Sequence, residues 1–337
     1  MESNKPSYGI ILLNMGGPDS PLAVEPFLYN LFSDRDIFPF PFSNITQKIF
    51  AKIVSRFRAG SSSRHYNLIG GASPLNKITR QQAEKLETSL KNIFPCKVFT
   101  GMRYCPPFIE DAVNEAVNNG IGNLIFFSMY PQYSLATTGS SLNEVKRVMA
   151  KKKYSGIHYL IVRNFYNDPG YIGALAAEIE KALLLFTAEE KSSMGIIFSA
   201  HGLPEKFISN GDPYLDEIKT TMDLTLDLIK KNSSAPAFCQ NVATALSFQS
   251  KVGPVKWLKP STIDTVKKFP GTGINNLLIV PVSFVADNIE TLYELKIELR
   301  DIAVQNGVKK FIVADALNDS GLFISAMKDI ILKEVKM

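Results

Sequence analysis

Short runs of apolar, often β-branched residues alternate along this chain with longer segments in which apolar residues recur every three or four positions. Ile10 to Leu13, Lys97 to Thr100 and Leu124 to Phe127 read as buried strands, and Gln82 to Leu90 and Ile109 to Val117 as the amphipathic helices between them. Strands apolar on both faces and separated by helices predict a parallel sheet covered on both sides. The scheme then starts again. Gly195-Ile196-Ile197-Phe198 echoes Gly9-Ile10-Ile11-Leu12, and Gly273-Ile274-Asn275-Asn276-Leu277-Leu278 echoes Gly120-Ile121-Gly122-Asn123-Leu124-Ile125. The expected fold is α/β, with two similar Rossmann-like lobes, each a doubly wound parallel sheet.

The crossover between lobes is expected where Ile157 to Val162 reads as a buried strand, with His158 in the core, and where Pro169-Gly170 precedes a new helix from Tyr171. This predicts a first lobe over residues 1–160, a second over 161–312, and a C-terminal segment over 313–337 whose last helix packs back across the lobes. Between matched landmarks the first half is longer by about 33 residues, and the surplus falls at residues 34–66. That insertion opens with Ile37-Phe38-Pro39-Phe40-Pro41-Phe42. It continues as a basic amphipathic helix, with Ile45, Ile49, Phe50, Ile53, Val54 and Phe57 among Lys48, Lys52, Arg56 and Arg58. Two readings stand for it: a helix packed on its own lobe, or an apolar lip at a cleft mouth that also dips into a membrane interface.

Composition narrows the classes. With 337 residues, 45% hydrophobic and 20% charged, the chain is globular and long enough for two cores. Its polar start lacks the apolar stretch of a signal peptide. The apolar stretch Leu277 to Ala286 is broken by Pro281 and Ser283 and is well short of the roughly 18 residues of a membrane span. Cys96, Cys105 and Cys239 form no Cys-x-x-Cys pair, which argues against a disulfide framework or a structural zinc site. A cytoplasmic protein is the expectation. The net charge of +5 is mild, and Lys146, Arg147 and Lys151 to Lys153 read as the solvated cationic end of a helix rather than a nucleic-acid patch.

In a doubly wound sheet ligands sit beyond the carboxyl ends of the strands. Five such segments are rich in polar, aromatic and glycine residues: Asn14 to Pro18, Met102-Arg103-Tyr104, Pro131 to Ser134, Ser199 to Pro204, and Phe284 to Glu290. All are expected to line one crevice. Neither Gly-x-Gly-x-x-Gly nor a Walker sequence is present, so no nucleotide site is expected. His201, one of three histidines, follows a strand among small residues, where an imidazole either exchanges protons with a ligand or is simply satisfied structure. Glu290, Glu294 and Glu298 are spaced by four, which on an α-helix stacks three carboxylates on one face. Glu290 also stands three after Asp287, as the reciprocal partner of an N-cap would.

At these motifs the chain resembles the ferrochelatases. Ser199-Ala200-His201-Gly202-Leu203-Pro204 followed by Gly211-Asp212-Pro213-Tyr214, Ile69-Gly70-Gly71-Ala72-Ser73-Pro74-Leu75, Pro131-Gln132-Tyr133-Ser134 followed by Thr138-Gly139-Ser140-Ser141, and Val252-Gly253-Pro254 with Trp257 and Pro260 stand in the family's order from about Gly9 to Phe323. The resemblance implies a chelatase-type fold with a porphyrin held in a cleft between the lobes. It implies a lyase that inserts Fe2+ into protoporphyrin IX, giving protohaem and releasing two protons. It assigns His201 and Glu290 to catalysis, His201, Glu290 and Glu294 to contact with the metal, and Met15, Tyr66, Ser73, Arg103, Tyr104, Trp257 and Phe284 to the macrocycle. For each aromatic, ordinary packing stands as the alternative. Imidazole and carboxylate suit the chemistry, since a base must take two pyrrole protons and ferrous iron accepts both ligand types.

The resemblance implies no organic cofactor, with Fe2+ as substrate; the mild charge leaves no nucleic-acid partner expected, and the apolar stretch Ile37 to Phe42 offers a weak peripheral contact with the inner face of a membrane. Three positions depart from the family. Asn288 replaces the usual histidine before Ile-Glu. Leu135 replaces the cysteine of iron–sulfur members, and the chain ends without their cysteine-bearing extension, so no cluster is expected. Lys296 replaces a usual aspartate, where it either lowers the pKa of Glu294 or points to solvent. Met15, where the coproporphyrin branch usually has tyrosine, and Met102-Arg103-Tyr104 favour protoporphyrin. A coproporphyrin III enzyme, another tetrapyrrole chelatase and a non-catalytic porphyrin or haem carrier are the alternatives.

Overall fold

In chain order the elements are β1 (Tyr8–Asn14), α1 (Val24–Ser33), α2 (Asn44–Leu68), α3 (Leu75–Lys91), β2 (Cys96–Met102), α4 (Ile109–Asn118), β3 (Asn123–Ser128), α5 (Ser140–Met149) and β4 (His158–Val162). They continue with α6 (Pro169–Leu183), α7 (Ala188–Ser192), β5 (Met194–His201), α8 (Glu205–Ser209), α9 (Tyr214–Asn232), β6 (Ala243–Gln249), α10 (Thr262–Lys268) and β7 (Asn276–Pro281). A π-helix (Glu290–Leu299), α11 (Arg300–Gln305), β8 (Lys310–Val313) and α12 (Gly321–Glu334) complete the chain. The computed structural model describes residues 8–38, 43–232, 242–251, 253 and 255–336. Of the lip sequence, Pro39, Phe40, Pro41 and Phe42 lie outside the described residues.

The chain divides into two compact units, Met1–Phe165 with Asn318–Met337, and Tyr166–Leu317. The first holds a parallel sheet in the order β2-β1-β3-β4, with Ile10 opposite both Val98 and Ile125. Ile10 to Leu13 are fully buried, which is why this central strand has no polar face. Ile11, Leu13, Phe99, Val113, Phe126 and Val145 belong to one apolar cluster on its side of the sheet. The second unit repeats the order as β6-β5-β7-β8, again all parallel. Its cluster includes Ile197, Val266, Leu277, Ile279, Leu295 and Leu299. The α/β fold of two doubly wound sheets expected from the pattern is what forms.

One local expectation is corrected. β4 is an edge strand, paired only with β3, and its residues His158, Tyr159 and Leu160 are exposed, so His158 is not a core residue. An apolar run at a sheet edge has the same composition as one at its centre, and periodicity does not separate them. The basic helix of the insertion forms as α2, capped by Ser43 and packed on α1, with much of its apolar stripe facing outward. It buries Gln47, Ala51 and Ser55 and leaves Ile45, Ile49, Ile53 and Phe57 exposed, at 71%, 55%, 52% and 83% of full accessibility. Gln47 secures the polar contact by donating from Nε2 to the Phe32 carbonyl at 2.6 Å. No helix among the described residues is long and apolar enough to cross a membrane.

Candidate active site

In the second unit, β5 runs beside both β6 and β7, and the chain leaves it toward opposite sides of the sheet, which makes the carboxyl ends of β5 and β7 a topological switch point. The sequence Ser199-Ala200-His201-Gly202-Leu203-Pro204 lies there, and each residue type has a physical reason. Ser199 is buried and donates to Gln249 Oε1 at 2.8 Å, with Thr262 Oγ1 at 2.9 Å, tying β5 to β6. His201 is pinned through its backbone: its N–H donates to Ser283 Oγ at 2.9 Å, and the Tyr214 hydroxyl donates to its carbonyl at 3.0 Å. Gly202 passes so close to the chain after β6 that a Cβ would meet the Gln249 carbonyl oxygen at 2.6 Å and the Trp257 ring at 3.1 Å. Backbone hydrogen bonds from Leu258 to Leu203 and from Glu205 to Lys256 then hold Trp257 against the motif. Phe284 sets its ring edge-on to His201, with centroids 6.4 Å apart.

After β7 the chain turns into the π-helix, and here Asn288 is the cap. Its Oδ1 accepts from the Glu290 N–H at 2.7 Å and the Thr291 N–H at 3.3 Å, while Asp287 accepts from the Thr291 hydroxyl at 2.8 Å. The expected pairing of Asp287 with Glu290 as a capping box does not form. The Glu290 carboxylate is therefore free to reach His201 Nδ1, at 2.7 Å, and it accepts from Ser250 Oγ at 3.1 Å. Glu294 is brought to the same place, accepting from Ser250 Oγ and, at 3.4 Å, from Gln249 Nε2. Glu298 is exposed, so two carboxylates converge rather than three. The wide turn of a π-helix, bonded from i to i+5, breaks the exact stacking that an α-helical spacing of four implies. Lys296 turns away to Asp315, at 3.0 Å, which Lys181 also pairs with at 3.2 Å.

The charges in this cluster act on one another. Burial disfavours the imidazolium of His201, but the Glu290 charge, the hydrogen bond to it and the Glu294 charge outweigh burial and hold the ring above the usual histidine value. Glu294 is pushed up to about 7, first by burial and then by the Glu290 charge, against the lowering effect of the Ser250 hydroxyl. A base, a carboxylate and a carboxyl that exchanges its proton near neutrality thus stand in one hydrogen-bonded line. Among the described residues no three His, Cys, Asp or Glu side chains are arranged as ligands of a single ion.

The other expected residues lie in the first unit. Met15, half-buried, follows β1, and its carbonyl accepts from the Tyr104 N–H at 3.0 Å. Arg103 follows β2 and pairs with Asp34 at 2.9 Å, its Nε donating to Ser140 at 2.9 Å. Tyr104 is buried and donates to Asp34 Oδ2 at 2.7 Å; burial, then the Asp34 charge, hold its phenol well above its usual value. Tyr66 is buried near the end of α2, and Ser73 is buried against Gly17, where a Cβ would meet its Oγ at 2.4 Å. Tyr66, Ser73 and Tyr104 are thus seated in packing, whereas Arg103, Met15, Trp257 and Phe284 keep partial exposure. Sequence reading missed Asp34, Gln249, Ser250 and Ser283. Asp34 stood in view as the residue that opens the insertion, but nothing in the local pattern pointed to the other three.

Two parallel α/β sheets of one topology, with a histidine and two carboxylates at a strand switch point, define a chelatase-type protein. Among solved structures the chain is similar to SirB from Bacillus subtilis with Fe3+, at a TM-score of 0.55 and 10% identity over 98% of this chain and 96% of that one. It is also similar to the sirohydrochlorin chelatase SirB from Bacillus subtilis subspecies spizizenii in complex with cobalt, at a TM-score of 0.54 and 9% identity over 98% and 94%. At such identities the likeness is one of fold. Sequence relatives go further: a ferrochelatase of Aquifex aeolicus (strain VF5) is 40% identical over 97% of this chain and 99% of its own. A ferrochelatase of Geotalea uraniireducens (strain Rf4) is 43% identical over 97% of each. The model of the ferrochelatase family matches residues 7–335, and the chain belongs to that family.

Proposed function

We propose that this enzyme inserts Fe2+ into protoporphyrin IX, with His201 and Glu290 taking up the two pyrrole protons and Glu294 passing charge and protons onward. The observation that carries the reading is the 2.7 Å contact of His201 Nδ1 with Glu290, continued through Ser250 to a Glu294 whose carboxyl sits at about 7. A donor–acceptor line of this kind accepts a proton at one end and releases it at the other without storing net charge in the site. Ferrous iron, as substrate, meets His201, Glu290 and Glu294 only in passing, since the four ring nitrogens are its final ligands. The chemistry needs no organic cofactor, and Leu135 offers no iron–sulfur ligand at the position where a cysteine would stand. Met15 after β1 supports protoporphyrin over coproporphyrin. Anaerobic insertion of Fe2+ into protoporphyrin IX, with coproporphyrin III alongside, tests the reading; turnover of coproporphyrin III alone would overturn the substrate, and binding of either ring without insertion would make the protein a carrier.

The same enzyme is proposed to work in the cytoplasm, against the inner face of a membrane, through α2. Ile45, Ile49, Ile53 and Phe57 are exposed on a helix that also carries Lys48, Lys52 and Arg56. Each such side chain gains about 1.5 to 3 kcal/mol on full withdrawal from water, and each basic residue near an anionic surface adds about 1 kcal/mol. Sedimentation with phosphatidylserine-containing vesicles is expected for the wild type and lost in an Ile49→Ser, Ile53→Ser, Phe57→Ser variant. Equal sedimentation of the two would remove the membrane role.

A further inference from the structure

Ser250 leaves β6 with a φ of 63°, in the left-handed region. A residue with a Cβ stays there only where its surroundings over-determine it. The preceding Gln249 is held twice, by Ser199 on its side chain and by the Gly202 N–H on its carbonyl at 2.8 Å, so the chain must turn sharply as it leaves the sheet. That turn aims Ser250 Oγ at Glu290 Oε2 and Glu294 Oε2 together. Two carboxylates brought to one hydroxyl repel each other, and the cation that could neutralise them from the same helix, Lys296, is committed to Asp315. A hydroxyl carries no charge and has a single hydrogen, which it shares between the two carboxylates or gives to one at a time, so it holds the pair close without cancelling their charge.

We propose that Ser250 is a positioning residue for metal-ion capture: its hydroxyl keeps Glu290 and Glu294 facing one point while no ion is present and gives them up when a divalent cation arrives. This rests on the reading above that the two carboxylates meet the metal. The left-handed backbone is the cost of aiming the hydroxyl. Loss of the hydroxyl leaves the carboxylates to separate, and the ion must then bring them together again at the expense of its own binding.

The test uses the full chain as wild type, Ser250→Ala, Ser250→Gly and Ser250→Asn. Anaerobic turnover gives kcat and the KM for Fe2+ and for porphyrin, and calorimetry on the porphyrin-free protein gives the Kd for Co2+. Ala and Gly are expected to raise the Fe2+ KM and the Co2+ Kd on the order of tenfold, the effect of one lost hydrogen bond to a charged group, with porphyrin KM nearly unchanged; kcat falls as well, because the hydroxyl is also a link in the proposed proton line, so the porphyrin-free Co2+ Kd is the deciding readout. Asn tolerates the left-handed backbone and supplies an N–H donor, so it should recover most of the loss. Wild-type metal affinity in Ser250→Gly would show that only the turn matters and overturn the proposal, as would a fall in kcat and melting temperature with metal KM unchanged. A wild type that inserts no metal would sink the functional reading, while the Co2+ titration would still decide the role of Ser250.

Discussion

Replacing Glu290 by Gln keeps the shape of the side chain and removes its charge. Gln still offers an amide oxygen to His201 Nδ1 and to the Ser250 hydroxyl, so the two hydrogen bonds at 2.7 and 3.1 Å can be remade; what goes is electrostatic. Burial alone depresses the His201 pKa, and the Glu290 charge is the chief influence against it, so the imidazole should titrate lower in the variant. Glu294 loses a repelling neighbour, and its carboxyl should fall from about 7 toward the ordinary value. For stability the two losses have opposite signs. At pH 5 the variant lacks an attraction to a charged ring; at pH 9 it lacks only the repulsion between two carboxylates. One pKa unit equals about 1.4 kcal/mol, and the rise of Glu294 to about 7 is shared between burial and the Glu290 charge, so the relieved repulsion is of the order of 1 kcal/mol; the His201 ring is 39% exposed and so screened by solvent, which keeps the lost attraction small. Glu290→Gln should therefore melt below the wild type at pH 5 and above it at pH 9. Turnover should fall by roughly 10²- to 10⁴-fold, the usual contribution of a positioned base. That corresponds to about 3 to 5 kcal/mol of barrier, well beyond the stability change. Anaerobic iron insertion and thermal melts at the two pH values read both effects. With three histidines in the chain, NMR titration of the rings reads the third. Turnover within about tenfold of wild type, or a melting loss at every pH, would refute the assignment.

Four other outcomes follow from the same cluster. His201→Ala should abolish metal insertion while porphyrin still quenches the fluorescence of Trp257 with wild-type affinity; near-normal turnover would take the imidazole out of the mechanism. Glu294 has a folded pKa of about 7 against an ordinary 4.5, so its contribution to stability is full below pH 4.5 and is lost as the pH rises to 7. Denaturant melts of the metal-free protein should show that decline and Glu294→Gln should flatten it; an unchanged slope would mean the carboxyl is not held as described. Asn288→Ala removes two backbone hydrogen bonds at the head of the π-helix and should cost about 1 kcal/mol. Asn288→His should remain active, and a wild type that gains activity only with that histidine would point to a degenerate chelatase.

The layer structure was legible because burial leaves a periodic trace. β1 is apolar from Ile10 to Leu13 and β5 from Ile196 to Phe198 since both faces of a central parallel strand are covered, and the repeat of Gly-Ile-Ile at Gly9 and Gly195 marks the same strand in the two sheets. Where the trace was ambiguous the reading failed. Tyr159 and Leu160 are as apolar as a core strand yet lie on an edge, and only the sheet order reveals that. α2 was read correctly as helical and basic, but periodicity states that a helix has an apolar stripe, not which way the stripe faces. Here Ala51 and Ser55 allow close packing on α1, and the isoleucines are left outside.

At the site the same division holds. His201 and Glu290 could be placed near each other because each follows a strand at the switch point, and strand ends are a property of sequence order. The contact between them could not, because it depends on which residue caps the next helix. Asn288 takes the cap with its oxygen and donates its amide hydrogen to the Ala286 carbonyl at 3.2 Å, so every polar atom of the side chain is spent on backbone. That use gives the amide at position 288 a structural job of its own. It fixes the backbone of Glu290 and leaves the carboxylate to His201. It also means that no proton passes through position 288. On the proposed mechanism the protons leave the porphyrin by way of His201, Glu290, Ser250 and Glu294, and a single line of four groups suffices for two protons only if they depart one after the other.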